Sequence, residues 1–369
     1  MKQKTKVAPD WWILISALLL LAMGIIMVFS SSQYFASYAP YNDAYTFVKQ
    51  QAISAVIGIV AMIAAYKLDY PWYRRFCLPA FLAVLVLLVF MAVSEQIAVI
   101  GGAQRWMEIG GLQFQPSELS KIALPMLLAC MLSQWQKEIK SFKCACYCIG
   151  LTGLVCGLIL LQKDLSTAAV VGMSAFVMMV CAGVAGKYLG IVVAGGVGAG
   201  VLAIVLEPYR LERVYSWLNP WDYPKDEGYQ AIQSLLALGS GGLSGVGLGA
   251  GGAKWFYLPS RHTDFIFSVL GEELGFVGGV FLIALFMLFV WRGMTTAVKA
   301  ENTFASLLAA GLTSAIAAQA LVNLGVVTGL LPVTGVTLPF VSYGGTSLVV
   351  TLIMTGMLLN ISRFRARPF

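Results

Sequence analysis

Uncharged apolar runs about as long as a bilayer is thick recur along this chain, and short polar breaks separate them. A membrane-crossing helix needs about 20 consecutive apolar residues. Ten stretches qualify, at about 11–30, 49–66, 75–94, 117–135, 144–161, 166–184, 187–206, 264–291, 303–327 and 344–361. Only 11% of the 369 residues are charged, against roughly 25% in soluble domains. The pattern predicts an all-α polytopic membrane protein, one unit over residues 1–369, with no room for a separate soluble domain. The first run exceeds a signal-peptide core and reads as a retained helix.

Lys and Arg set the expected orientation. With the N-terminus inside, 15 of the 24 basic residues fall in cytoplasmic segments, and five of the other nine lie in one long loop. Long loops report topology poorly, so the short segments decide, and both termini are expected in the cytoplasm. This topology accounts for the net charge of +7, and no nucleic-acid partner is expected. None of the seven cysteines lies in an outer loop, so no structural disulfide is implied. The spacing in "CACYC" (144–148) spreads thiols around a helix, unlike a zinc site.

The long outer segment, about 207–263 between spans seven and eight, is rich in Trp, Tyr and Leu. Such residues pack or sit at interfaces. Its "YQAIQSLLAL" has helical spacing, and eight glycines follow between 239 and 252, which permit tight backbone approach. The expectation is a structured extracytoplasmic cap.

Four polar groupings could carry chemistry. "RHTDFIFSVLGEELG" (261–275) places His262, Thr263 and Asp264 where the cap meets a span. Asp264 could cap that helix or act chemically, and the two roles can coexist. Glu272 and Glu273 lie deeper and project differently, as internal struts paired with a cation or hydroxyl. "GGAQRWMEIGGLQFQPSELSKIALP" (101–125) carries Arg105, Gln115, Ser117, Glu118 and Lys121. Glu118 and Lys121 are spaced i, i+3 and could form a surface ion pair, or line a pocket for a phosphate headgroup. Arg210, Arg213 and Lys254 are cap cations for phosphate or for lipid. "GLLPVTGVTLPFVSYGGTSL" (329–348), which includes Ser342, reads as broken backbone lining a site.

Together these stretches, with "YRLERVYSWLNPW" and "GYQAIQSLLALGSGGLSGVGLG", resemble the SEDS family of bacterial cell-wall polymerases, most closely its FtsW branch. The resemblance runs in family order over nearly the whole chain. It implies a peptidoglycan glycosyltransferase that polymerises lipid II, with Asp264 as the catalytic carboxylate. It implies Arg105, Glu118, Lys121 and Ser342 in the polar cleft, and a class B penicillin-binding protein and other divisome proteins as partners. Two positions depart from the family pattern: Lys163, where "QPDLGT" often stands, and Ser260, where "LPE" often stands. The implied chemistry is one inverting displacement by a sugar hydroxyl, with undecaprenyl pyrophosphate leaving. One carboxylate suffices as base, and positive charge must meet the phosphates, from Arg105, Lys121, Arg210, Lys254 or a divalent cation (Mg2+ or Mn2+) that the sequence does not reveal. A lipid II flippase and a non-catalytic scaffold are the alternatives.

Overall fold

The computed structural model describes residues 8–38, 42–94, 106–109, 112–225, 228–252 and 258–364. Arg105 and Lys254 lie outside these residues, as do Lys2, Lys4, Lys6, Arg365 and Arg367 at the chain ends. Three helices open the chain: α1 (Trp11–Ala36), α2 (Thr46–Lys67) and α3 (Tyr70–Val93). A short antiparallel hairpin follows, β1 (Met107–Ile109) with β2 (Leu112–Phe114), which the all-helical expectation did not contain. Next come α4 (Pro116–Gln134), α5 (Phe142–Leu161), α6 (Leu165–Ala182) and α7 (Gly186–Val205). The cap segment folds as α8 (Pro208–Leu218), a 3-10 turn at Pro220–Asp222 and α9 (Tyr229–Ser240), and α10 (Ile266–Val298), α11 (Thr303–Val327) and α12 (Gly345–Ser362) complete the bundle.

Among the described residues, nine helices are long and apolar enough to cross a membrane. The remaining expected span, the fourth at 117–135, is α4, which is 19 residues long but less apolar. Its polar residues Ser117, Glu118, Ser120 and Lys121 are all buried. They meet protein rather than lipid, so its composition need not match hydrocarbon. All seven cysteines are free; Cys144 and Cys148 are buried one turn apart, whereas Cys146 between them is exposed.

The two ends of the bundle differ. At the end where α1 starts, Asp10 caps α1 by accepting from the Trp12 N–H at 3.2 Å. The same carboxylate takes Arg292 Nη2 of α10 at 2.5 Å, and the Asp10 N–H donates to Ser362 Oγ of α12 at 3.0 Å. Three helices are tied at one buried acid. The opposite end is irregular, and it is organised around a break in α10. Gly275 adopts φ 67°, ψ −168° inside that helix. A break of this kind strands carbonyls before it and N–H groups after it. The glycine-rich turn after α9 satisfies both sets. Val246 and Gly247 donate to the carbonyls of Glu272 and Glu273, both at 3.0 Å, and Phe276 and Val277 donate to Gly242 and Leu243 at 2.9 and 3.2 Å. Gly245 and Gly275 face one another there at positive φ, and a Cβ on either would run into the other strand's backbone. The glycines are therefore a matched seat for a broken helix.

The two glutamates are held structurally, in different directions. Glu273 accepts from Ser30 Oγ of α1, which lies 2.6 and 2.7 Å from its two oxygens. Glu272 accepts from the Gly252 N–H at 2.7 Å.

Candidate functional site

Helix α10 begins at Ile266 with Phe265 at its N-cap and no side-chain capping bond. Asp264 thus does not occupy the N-cap position. Its position is set through the backbone. Asn323 of α11 donates from Nδ2 to the Asp264 carbonyl at 2.7 Å and to the Val336 carbonyl at 2.6 Å. Ser342 Oγ donates to the Thr263 carbonyl at 2.6 Å, and the Tyr343 N–H to the His262 carbonyl at 2.9 Å. The irregular segment between α11 and α12, expected to line a site, is stitched directly onto the strand of chain that carries the acid. Its own backbone is served from several sides. Gln51 Nε2 reaches the Ser342 carbonyl at 3.1 Å, Ser166 Oγ the Thr334 carbonyl at 2.8 Å, and Trp217 Nε1 the Gly329 carbonyl at 2.8 Å. Irregular backbone inside a helical membrane protein requires this kind of cover.

Asp264 lines two cavities. The larger encloses about 600 Å³ among α2, α4, α6, α11 and the 335–345 segment. Its walls are mostly uncharged hydrogen-bonding groups and aromatic rings: Gln50, Ser54, Gln113, Thr337, Trp106 and Tyr343. Gln115, Glu118, Lys121, His262 and Thr263 also face it. The smaller holds about 320 Å³ and is lined by Lys163, Tyr209, Arg210, Arg213 and Gln230. Ser260, Asp264 and Gly335 belong to both. A single carboxylate therefore stands on the ridge between a polar, sugar-sized chamber and a cationic one.

The sequence-level candidates fall into place unevenly. Glu118 and Lys121 form an ion pair at 2.5 Å, with side chains only 6% and 2% exposed. This corrects the expectation of a surface pair. A buried pair is tolerated only when its remaining hydrogen-bonding capacity is met. Here Lys121 Nζ also donates to Gln319 Oε1 at 2.7 Å, and Gln319 Nε2 passes the chain on to the Thr337 carbonyl at 2.9 Å and Ser347 Oγ at 3.2 Å. Gln115 lines the larger cavity itself, whereas Ser117 meets it only through Asp164. Gln115 Nε2 donates to Asp164 Oδ2 at 2.8 Å, and Ser117 Oγ approaches it at 3.4 Å. Arg210 and Arg213 meet in the smaller cavity, each 5.5 Å from the Tyr209 ring. Arg210 is pinned by the Ala203 carbonyl at 2.8 Å.

His262 sits in an aromatic box, 4.6 Å from Phe47 and 5.6 Å from Tyr343 between ring centroids. Burial, helped by the neighbouring Arg261 guanidinium, pushes its pKa down to about 4. The imidazole is therefore neutral at physiological pH and does not compete with the cations for an anion.

Sequence reasoning passed over Asp164, Gln319 and Asn323. Asp164 caps α6, accepting from the Thr167 N–H at 3.1 Å, and its D-x-x-T spacing was a readable cap signal. Gln319 and Asn323 are i, i+4 amides on one face of an otherwise apolar span, the pattern of a polar stripe turned toward a cavity.

No group of three or more His, Cys, Asp or Glu suited to a metal exists among the described residues. Glu118 is held by Lys121, and Asp164 by Gln115 and Thr167. This donor set does not fit a divalent ion held by the protein alone.

A family model described as "Cell cycle protein", FTSW_RODA_SPOVE, matches residues 10–367. Stage V sporulation protein E of Bacillus subtilis is 42% identical over 362 residues, covering 97% of this chain and 98% of that one. A probable peptidoglycan glycosyltransferase FtsW of Geobacter metallireducens is 42% identical over 363 residues, covering 97% and 96%. Among solved structures, a chain from a peptidoglycan synthase complex that coordinates polymerization and crosslinking superposes with a TM-score of 0.78 at 32% identity, covering 97% and 98%. The rod shape determining protein RodA of Thermus thermophilus gives 0.73 at 30% identity, covering 98% and 99%. Matched by that model over nearly its full length and by relatives at 42% identity, the chain belongs to the FtsW/RodA/SpoVE family of cell cycle proteins.

Proposed function

We propose that this protein is a peptidoglycan glycosyltransferase that polymerises lipid II, with Asp264 as general base. The observation that carries the reading is the position of Asp264 on the ridge shared by the two cavities. The larger cavity suits the accepting sugar, since amides, hydroxyls and aromatic faces match a neutral saccharide. The smaller suits the diphosphate of the donor, because Arg210 and Arg213 supply charge where the leaving group develops it. Asp264 takes the proton of the acceptor's 4-hydroxyl as its oxygen forms a bond to the donor's anomeric carbon. The bond from that carbon to the phosphate oxygen breaks, and the diphosphate keeps the electron pair. A diphosphate leaves as a stable anion, so no second carboxylate is needed as acid, in contrast to glycoside hydrolysis.

The bundle end that carries Asp10 also carries Lys67, Lys137, Lys187, Arg292 and Arg363. By the positive-inside rule this end faces the cytoplasm, and the site opens at the outer leaflet. A class B penicillin-binding protein and other divisome proteins are its expected partners, consistent with a relative found in a peptidoglycan synthase complex.

The packing disfavours a headgroup passage. One to two turns further in from Lys121, Val170 and Gln319, the facing residues are Leu124, Leu128, Met178, Leu312 and Ile316, each at most 1% exposed. Closely packed apolar side chains at this depth are costly surroundings for a charged disaccharide-peptide.

The test is polymerisation of purified lipid II, with and without the cognate transpeptidase. Asp264→Asn should fold normally and lose polymer formation by about 10²–10⁴-fold, the range for a general base. Near-normal glycan strands from that variant would reject the assignment.

A further inference from the structure

Helix α5 ends in a compact turn. The Lys163 N–H bonds the Leu160 carbonyl at 2.9 Å, and the Asp164 N–H bonds the Ile159 carbonyl at 3.3 Å. This pair of bonds closes a helix on one left-handed residue, a place ordinarily held by glycine. Lys163 occupies it at φ 61°. Helix α6 ends the ordinary way, on Gly183 at φ 85°. A lysine in that conformation bears a steric cost that glycine does not. Proline, frequent in the family pattern at this place, could neither reach the angle nor donate the N–H.

The side chain explains what is gained. Lys163 lines the smaller cavity together with Arg210 and Arg213. Among the described residues it pairs with Glu207, Nζ to Oε1 3.8 Å, and the two side chains are 48% and 35% exposed. That is a loose pair at the cavity rim, and such pairs contribute little. The arginines, by contrast, are fixed. Arg210 is 8% exposed and bonded to the Ala203 carbonyl, and Arg213 Nη1 donates to the Val333 carbonyl at 3.3 Å. Two cations are built into the wall and a third, on a flexible stem, is free to turn. The carboxylates facing it are Glu207 at the rim and Asp264 on the ridge.

We infer that Lys163 is the mobile third cation of a diphosphate site: it leaves Glu207 for the lipid-linked diphosphate and sets how tightly that group is held. The inference rests on the glycosyl-transfer reading for its biological meaning, though the site itself is a statement about anion binding. A compact ammonium on four methylenes suits a ligand that arrives, reacts and departs.

The experiment is calorimetry on the full-length protein in detergent, with inorganic pyrophosphate and undecaprenyl pyrophosphate as separate probes. Lys163→Gly places the preferred residue at the turn and should keep or raise the Tm, so a folding defect will not mask the result. Lys163→Asn, which also tolerates the left-handed region, is the second variant. Both should bind either probe about tenfold more weakly, ~1.4 kcal/mol, while Glu207→Gln binds as tightly as the unaltered protein or more so. Binding of both probes shows that the diphosphate alone suffices; binding of the lipid form only assigns the site to a headgroup at the membrane surface. Unchanged affinity in both Lys163 variants, weaker binding in Glu207→Gln, or no binding of either probe by the unaltered protein would overturn the inference. Binding needs no turnover. A protein that holds diphosphate through Lys163 yet polymerises nothing would sink the glycosyltransferase reading and leave the site standing.

Discussion

The two ends of this bundle each hold an ion pair on a buried carboxylate, and the pairs do opposite things. At one end, Arg292 and Asp10 close three helices together around Ser362, among apolar neighbours. At the other, Lys121 and Glu118 face a cavity of about 600 Å³ and pass hydrogen bonds through Gln319 to the 335–347 segment. The first pair joins distant helices, its arginine still 22% exposed, and lines neither of the two cavities. The second is local, i, i+3 on α4, and shapes an open polar wall. A buried charge alone therefore does not mark a functional site; the cavity beside it does.

Breaking each pair in turn is the strongest way to test that contrast. Removing one partner of a buried pair costs about 3–5 kcal/mol, because the other charge is left uncompensated. Arg292→Ala should lower thermal stability by that order while the turnover of the surviving folded fraction stays unchanged. Lys121→Met should cost a comparable amount and also cut polymerisation of the folded fraction. Equal loss of specific activity in both variants would erase the distinction between the ends.

A smaller effect concerns pH at the cavity end. His262 has a folded pKa of about 4, against an ordinary value of 6.5. Between these values the unfolded chain binds a proton that the folded protein refuses, so stability falls as pH drops from about 6.5 toward 4. The full shift corresponds to on the order of 3 kcal/mol. Melting curves between pH 7 and 5 should slope downward, and His262→Phe should flatten much of that slope. A slope that persists intact in the variant would place its origin elsewhere.

The smallest effect lies on α7. Only 6% of its most apolar window is buried, against 83% for α12. Tyr188 is its one buried residue, and Gly190, Gly195, Gly196, Gly198 and Gly200 would each meet open space if given a Cβ. Gly195→Ala should therefore be neutral or stabilise by less than about 1 kcal/mol. By contrast, Gly356→Ala on α12 should destabilise, because its Cβ would run into the Met62 carbonyl of α2.

Much of this was legible before folding. The hydropathy pattern located all ten long helices, since each bilayer-length apolar run has few alternatives to a helix, but it stopped α1 at about 30 and α10 at about 291, where the helices run on to Ala36 and Val298. The helical spacing of "YQAIQSLLAL" announced α9, and Asp264 stood out as an acid between a polar cap and an apolar span. The break at Gly275 was not readable, because its cause is the remote turn at 242–247 that completes its hydrogen bonds. Nor was the role of Asn323, an amide whose two acceptors lie 59 and 13 residues away.

What the sequence alone determined, then, is the solvent each segment can tolerate and the local chemistry each can offer. Periodicity and composition act over one or two helical turns, and those suffice to specify spans, caps and candidate groups. Only the tertiary structure decided that Asp264 does not occupy the N-cap position of its helix, that Lys163 leans into the same chamber as Arg210, and that one carboxylate serves two cavities. Those relations join segments tens to hundreds of residues apart, and they exist only once close packing has brought the segments' polar groups within hydrogen-bond reach.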